Sequence, residues 1–167
     1  MQQAPLTQMI QIREAVHGDI PAIARVHVQA DWDTYSALFG SQANVLEPVE
    51  SELRWQRALC EGDILLVACD GIEIVGLGHG CGDRIGALYL LRSHQRRGIG
   101  KSLMARLLAG LRKLGVTEAR FDVVAINENA IGFYGTLGAY PVGRCINRDV
   151  RGDTEDLAFA IPTASAQ

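Results

Sequence analysis

Gln95-Arg96-Arg97-Gly98-Ile99-Gly100-Lys101-Ser102 separates an apolar run, Ile85 to Leu91, from a helical pattern. In that pattern Ile99, Leu103, Leu107, Leu111 and Leu114 recur every three or four residues, one stripe of a helix that Gly115 stops. The apolar run is expected to be a strand buried on both faces. Ala119 to Ala125 makes the next strand, and Ala130 to Leu137 a short helix ended by Gly138. A strand-helix-strand segment implies parallel pairing with a right-handed crossover. This unit sets the class as α/β.

Outward from it the chain reads as hairpins and helices. Ile10 to Ala15 is a short first strand, after which Asp19 is expected to cap a helix carrying Pro21 in its first turn. Ile23, Val26 and Ala30 form that helix's apolar face. From Asp31 to Val45 we expect a break and then a second helix. Pro48 to Cys60 is a further helix, with Leu53 and Trp55 as apolar contacts. Ile64–Cys69 and Ile74–Gly80 pair around Asp70-Gly71, and Gly82 and Asp83 turn the chain into the central strand. Val142 to Val150 and Asp156 to Ile161 close the chain as strands joined around Arg151-Gly152-Asp153. The expected architecture is a single domain over residues 1–167 with a mixed, mostly antiparallel sheet flanked by helices. Its ends are expected to fray near 1–7 and 162–167.

The formal net charge of −3 gives no general reason to expect nucleic acid as a partner. Charge is uneven, however: Arg92 to Lys101 holds four formal cations and no acid. No apolar run approaches the roughly 18 residues of a membrane helix, and the start lacks the order of a signal peptide, so no membrane is expected and the cytoplasm is the default. Cys60, Cys69, Cys81 and Cys145 form no C-x-x-C pair and read as reduced thiols. His79, Cys81 and Asp83 are close in sequence, but three near neighbours with no further donor cluster make a poor site, and no metal is expected.

The glycine-containing turn between strand and helix suits a pyrophosphate. A helix begins with unpaired N–H groups and partial positive charge, and glycine lets those amides approach an anion closely. Arg96, Arg97 and Lys101 add charge. A P-loop would need glycine where Gln95 stands, and a dinucleotide fingerprint would need it at Leu103. ATP and NAD are therefore disfavoured. The alternative is a tight turn flanked by solvated arginines.

Gln95, Gly98 and Gly100 stand in register with the Q/R-x-x-G-x-G/A signature, and the segment Asn127-Glu128-Asn129-Ala130-Ile131-Gly132-Phe133-Tyr134-Gly135-Thr136-Leu137-Gly138-Ala139 follows at the expected distance. In both motifs the chain resembles the GCN5-related N-acetyltransferase superfamily. The resemblance implies a GNAT-like sheet with a splayed parallel strand pair, and acetyl-CoA as acyl donor. It implies that the amides of Arg96, Arg97, Gly98, Ile99, Gly100, Lys101 and Ser102 hold the coenzyme pyrophosphate. Pantetheine would then lie against the backbone of Tyr89, Leu90 and Leu91, with the Leu90 N–H toward the thioester oxygen. Arg92, where many relatives carry proline, is a departure. A homodimer is a further implication.

By the same resemblance Tyr134 serves the departing thiolate and Asn127 contacts the coenzyme; Asn129 is expected to cap the helix at Ala130. A packing role for Tyr134 is the alternative. The reaction expected is direct attack of a small-molecule or peptide amine on the thioester. An inactive coenzyme A-binding regulatory module is the other reading. An amine with a pKa of about 10.4 must lose a proton first, and His79 is the best placed side chain for a base. The stretch with Asp31, Trp32 and Tyr35, together with Tyr89, offers carboxylate and aromatic surface for the acceptor.

Overall fold

The computed structural model describes residues 10–149 and 152–164. One sheet runs through it, built from β1 (Gln11–Glu14), β2 (Ile64–Asp70), β3 (Glu73–Cys81), β4 (Arg84–Leu90), β5 (Glu118–Val124), β6 (Tyr140–Asp149) and β7 (Gly152–Pro162). Their order is β1-β2-β3-β4-β5-β7-β6. All pairings are antiparallel except β4 with β5, which share a single register pair, Arg84 opposite Arg120. Beyond it the two strands diverge. This is the mixed, mostly antiparallel sheet with a splayed parallel pair that the family resemblance implies.

Helices α1 (Ile20–Phe39) and α2 (Pro48–Glu61) cover one face, and α3 (Ile99–Lys113) and α4 (Glu128–Thr136) the other. On the α1 side Ile23, Val26, Trp55, Leu65, Val67 and Leu77 form one buried cluster. On the α3 side Ile99, Leu103, Leu107 and Leu111 pack with Phe121, Val123, Phe159 and Ile161. Alternate glycines of β3 let α3 sit close to the sheet. A Cβ on Gly76 would lie 3.5 Å from Leu103 Cδ1, one on Gly78 2.9 Å from Leu107 Cδ1, and one on Gly80 3.4 Å from Leu111 Cδ2. Residues i, i+2 and i+4 of a strand share a face, so the three openings receive successive turns of the helix.

Several expectations are corrected. α1 does not break at Asp31: it continues to Phe39 because no glycine or proline interrupts it after Pro21, and Gly40, at φ +58°, is the first stop. Thr34 and Ser36 are accommodated by donating back to the carbonyls of Ala30 and Trp32. Asp19 does not cap α1. Both its oxygens accept from Arg13, at 2.7 and 2.9 Å, and one accepts from the Val16 N–H, so it ties the end of β1 to the helix start. The hydrogen bond from Arg13 holds the Asp19 carboxyl below its usual range. Leu53 and Leu114 are exposed, at 59% and 69%: the first lies on the outer face of α2, the second beyond the last turn of α3. Pro162 ends β7, and Thr163 is fastened to Thr117 O and Val116 O. Residues 1–7 and 165–167 lie outside the described residues, as does the centre of the last hairpin turn.

β4 is not buried on both faces along its length. Ile85 and Ala87 are buried, but Leu88, Tyr89 and Leu90 are only partly so. The reason is the divergence from β5: where the neighbour leaves, nothing replaces it.

Candidate functional site

The gap between β4 and β5 is lined by peptide groups without a strand partner. The Leu91 N–H donates to Val75 O at 2.9 Å. In an antiparallel ladder bonded and non-bonded residues alternate, so Tyr89 and Leu91 bond toward β3 while Leu88 and Leu90 turn their N–H and C=O toward the gap. Gln95 Nε2 donates to the Leu90 carbonyl at 3.3 Å, leaving the Leu90 N–H to face the opening. By register Leu90 is level with Ile126, directly before α4. The open end of the splay therefore lies between the loop leading to α3 and the start of α4.

That loop has a backbone shape and charge that suit an anion. Arg96 has φ +59° and Gly98 φ +79°, two left-handed residues flanking Arg97, a backbone shape that gathers successive N–H groups on one side. A left-handed conformation at a residue with a side chain costs on the order of 1–2 kcal/mol, strain of the kind found where backbone shape serves a ligand. The Ser102 N–H makes the first helical bond, to Gly98 O, so the N–H groups before it in the first turn face outward. No side chain caps α3 and no acid lies in its first turn. By contrast, α4 begins with an Asn127 cap and Glu128. Ile99 is buried and anchors the turn, while Arg96, Arg97, Gly98, Lys101 and Ser102 are exposed. A Cβ on Gly98 would meet nothing within 4 Å, and one on Gly100 would lie 3.3 Å from Phe133 Cζ, so Gly100 seats α3 on α4. Asp70 receives His94 Nε2 at 3.2 Å and Arg97 at 3.8 Å, which steadies the loop from the β2–β3 turn.

Asn127, and not Asn129, is the helix cap: its Oδ1 accepts from the Ala130 N–H at 3.1 Å, and Asn129 is exposed. The cap engages the Asn127 oxygen and not its amide N–H groups. Tyr134 packs on Phe121 of β5 at 4.5 Å between ring centroids and on Phe133 at 5.1 Å. Burial pushes its phenol up to about 12, although an edge of the residue stays accessible. Its hydroxyl makes no hydrogen bond among the described residues.

A second group of polar residues lies on the α1 side. His27, Asp31, Tyr35 and Phe39 follow one another at intervals of four and share a face of α1. His27 and Asp31 are both 1% exposed. Trp55 Nε1 donates to His27 Nδ1 at 3.1 Å and Ser51 Oγ lies 2.7 Å from the same atom. An indole N–H only donates, so Nδ1 is an acceptor here. The Tyr89 hydroxyl reaches Asp31 Oδ1 at 3.5 Å, the outer limit of a hydrogen bond. Tyr35 and Phe39 stack at 5.9 Å and line a cleft of about 200 Å³ that Asn44 and, from the β6–β7 hairpin, Asn147, Asp153 and Thr154 complete. Trp32 is 41% exposed and outside this lining.

His79 is not brought to the gap. It sits opposite Ala87, three residues before Leu90 and about 10 Å from it at a strand's rise. Its Nε2 is held by Asp63 at 2.8 Å, its ring meets Trp55 edge-on, and Gly86 leaves it room. Sequence reasoning missed His27, Asn147 and Thr154. The four-residue spacing from His27 to Phe39 was a usable signal; nothing comparable marks the hairpin residues. Among the described residues no group of three metal-binding side chains occurs, and no helix is long and apolar enough to cross a membrane.

The sequence model of the Acetyltransferase (GNAT) family matches residues 28–139, which include the splay, the turn before α3 and Tyr134. The chain belongs to this family. Solved structures of GNAT proteins share its fold at low identity. A ribosomal-protein-alanine N-acetyltransferase from Brucella melitensis aligns with a TM-score of 0.73 at 18% identity, covering 91% of this chain and 99% of the other. A phosphinothricin acetyltransferase from Sinorhizobium meliloti in complex with acetyl-CoA gives 0.70 at 17%, covering 92% and 88%. The yncA protein of Salmonella typhimurium, with its cofactor acetyl-CoA, gives 0.69 at 18%, covering 94% and 95%. No curated protein sequence matches this GNAT chain significantly.

Proposed function

We propose that this GNAT protein, acting as one domain, transfers an acetyl group from acetyl-CoA to an amine by direct attack on the thioester. The observation that carries the reading is the α3 N-terminus. It is uncapped, free of acid, flanked by Arg96, Arg97 and Lys101, and placed at the mouth of the β4–β5 gap. Backbone amides fit a pyrophosphate there, and the peptide groups of Leu88 and Leu90 fit the amides of a pantetheine arm.

Acetyl-CoA supplies an activated acetyl group with a thiolate leaving group. The Leu90 N–H is oriented to stabilise negative charge on the carbonyl oxygen under attack. Tyr134, with its pKa raised to about 12, stays protonated throughout the neutral range. Passing its proton fully to a thiolate whose acid has a pKa of about 8.5 would be uphill by about 5 kcal/mol. Its role is accordingly to donate a hydrogen bond to the departing sulfur. The acceptor approaches from the α1 face, past Tyr35 and Tyr89, where the Tyr89 hydroxyl reaches the Asp31 carboxylate. We assign proton removal to this side, by Asp31 or a water it orders, in preference to His79, which Asp63 already holds.

Cys60, Cys69, Cys81 and Cys145 are all free, which fits a reducing cytoplasm. β6 leaves Val142 and Ile146 exposed along a sheet edge, a surface suited to the homodimer in this reading. Thermal denaturation with equal concentrations of coenzyme A, ATP or NAD tests the donor assignment. Coenzyme A is expected to raise the melting temperature most; greater stabilisation by ATP would overturn it.

A further inference from the structure

Asp156 of β7 is 2% exposed, and no described cation forms an ion pair with it. Its oxygens accept from Asn147 Nδ2 at 3.2 Å and Thr154 Oγ1 at 2.8 Å. Register places the three side chains on one face: Asn147 is opposite Thr154, and Asp156 is opposite both Cys145 and Val124. Val123 and Phe121 belong to the α3-side core, so Val124 and Asp156 face the α1 side, where the acceptor cleft lies.

A carboxylate only accepts hydrogen bonds. By taking the Thr154 O–H and one of the two Asn147 N–H donors, Asp156 turns the Asn147 carbonyl oxygen and the Thr154 hydroxyl lone pairs toward the cleft that both residues line. Among the remaining walls Gln42 and Asn44 carry amides that can both accept and donate. Tyr35 and Phe39 present aromatic surface, Asp153 a carboxylate, and no described lining residue is basic. Asp153 is shared with exposed Arg148 at 3.7 Å, so Asp156 is the fixed element of the pattern. Burying a carboxylate with neutral partners alone is costly, and a cation arriving nearby offsets that cost.

We propose that the cleft receives a cationic, donor-rich end of the acceptor, an ammonium or guanidinium group, and that Asp156 is the positioning residue that sets this preference through Asn147 and Thr154. The proposal rests on the acetyltransferase reading and narrows its acceptor to small cationic amines over anionic amino acids.

Putrescine, 4-aminobutanol and 4-aminobutanoate carry the same reacting amine with a positive, neutral or negative far end. With acetyl-CoA saturating, kcat/KM is expected to fall in that order, by at least about tenfold from first to last, a difference of 1.4 kcal/mol. In Asp156→Asn the new amide can donate to Asn147 and Thr154 and release them to offer donors. The KM for putrescine should then rise about tenfold and the charge preference collapse, while the KM for acetyl-CoA holds. Thr154→Val, which keeps the buried carboxylate, should shift the preference in the same direction by less. A protein that merely lost packing would lose activity on all three amines alike. If none of the three is acetylated, the transferase reading fails, and displacement of the cleft's amide signals by the same compounds still ranks their binding. An equal or reversed ranking in either assay overturns the cationic assignment.

Discussion

Tyr134→Phe is expected to lower turnover about a hundredfold, the upper end of what one hydrogen bond to a charged group contributes, and to leave acetyl-CoA affinity essentially unchanged. The ring is the part of Tyr134 that packs, against Phe121 and Phe133, and phenylalanine retains it. Only the hydroxyl is removed, and it makes no hydrogen bond among the described residues, so the fold loses no partner. A raised pKa also gives this residue a signature at high pH. An unfolded tyrosine ionises near 10, the folded one near 12, so between these values the folded state loses stability as pH rises. That slope should be smaller in the variant. Single-turnover kinetics beside equilibrium binding separates the two effects. Unchanged chemistry in the variant would return Tyr134 to a packing role.

Gly98→Val is expected to act in the opposite manner, weakening acetyl-CoA binding by roughly ten- to a hundredfold through loss of the turn's shape, about 1.4–2.7 kcal/mol. A Cβ there would touch nothing, so crowding in the free protein is not the cause. The cause is φ +79°, which a β-branched residue adopts only under strain. The turn relaxes by rotating its amides, which are the pyrophosphate site in the proposed reading. Calorimetric titration with acetyl-CoA measures the change, and because the turn is exposed the melting temperature of the free protein should move little. Full affinity in Gly98→Val would show that the pyrophosphate is held elsewhere.

The two halves of the site were unequally legible in the sequence, for a physical reason. The donor half is made of backbone, and backbone shape leaves local marks: Gly98 and Gly100 between a strand and a helix, four cations without an acid, Asn127 ahead of α4. Even there the cap is ambiguous in sequence, because Asn127 and Asn129 stand two residues apart and only the entry angle of α4 distinguishes them. The left-handed Arg96 had no sequence signal at all. The acceptor half is made of side chains from α1, β4, β6 and β7, joined by pairings that no local pattern encodes. Asp31, Tyr35 and Tyr89 were recognised as candidates by residue type. Their convergence required α1 to run unbroken to Phe39, and a polar stretch rich in Asp, Thr and Ser disguised that. Asp156 looked like the ordinary start of a strand; its burial follows from β7 lying between β5 and β6. The central strand was read as buried on both sides for a similar reason. Its apolar residues indicate a sheet interior, but the splay that uncovers Leu88 to Leu90 depends on β5 turning away.

The central claim is that the amine attacks the thioester directly while the α3 turn holds the donor. Rapid mixing of the protein–acetyl-CoA complex with amine, followed by mass measurement of protein and acceptor together with free thiol, tests it most directly. The predicted result is thiol release only when amine is present, matched one for one by acetylated amine, with the protein mass unchanged at every time point. Thiol release before amine is added, with a matching acetyl group on the protein, would contradict the account; so would tight acetyl-CoA binding with no amine-dependent release.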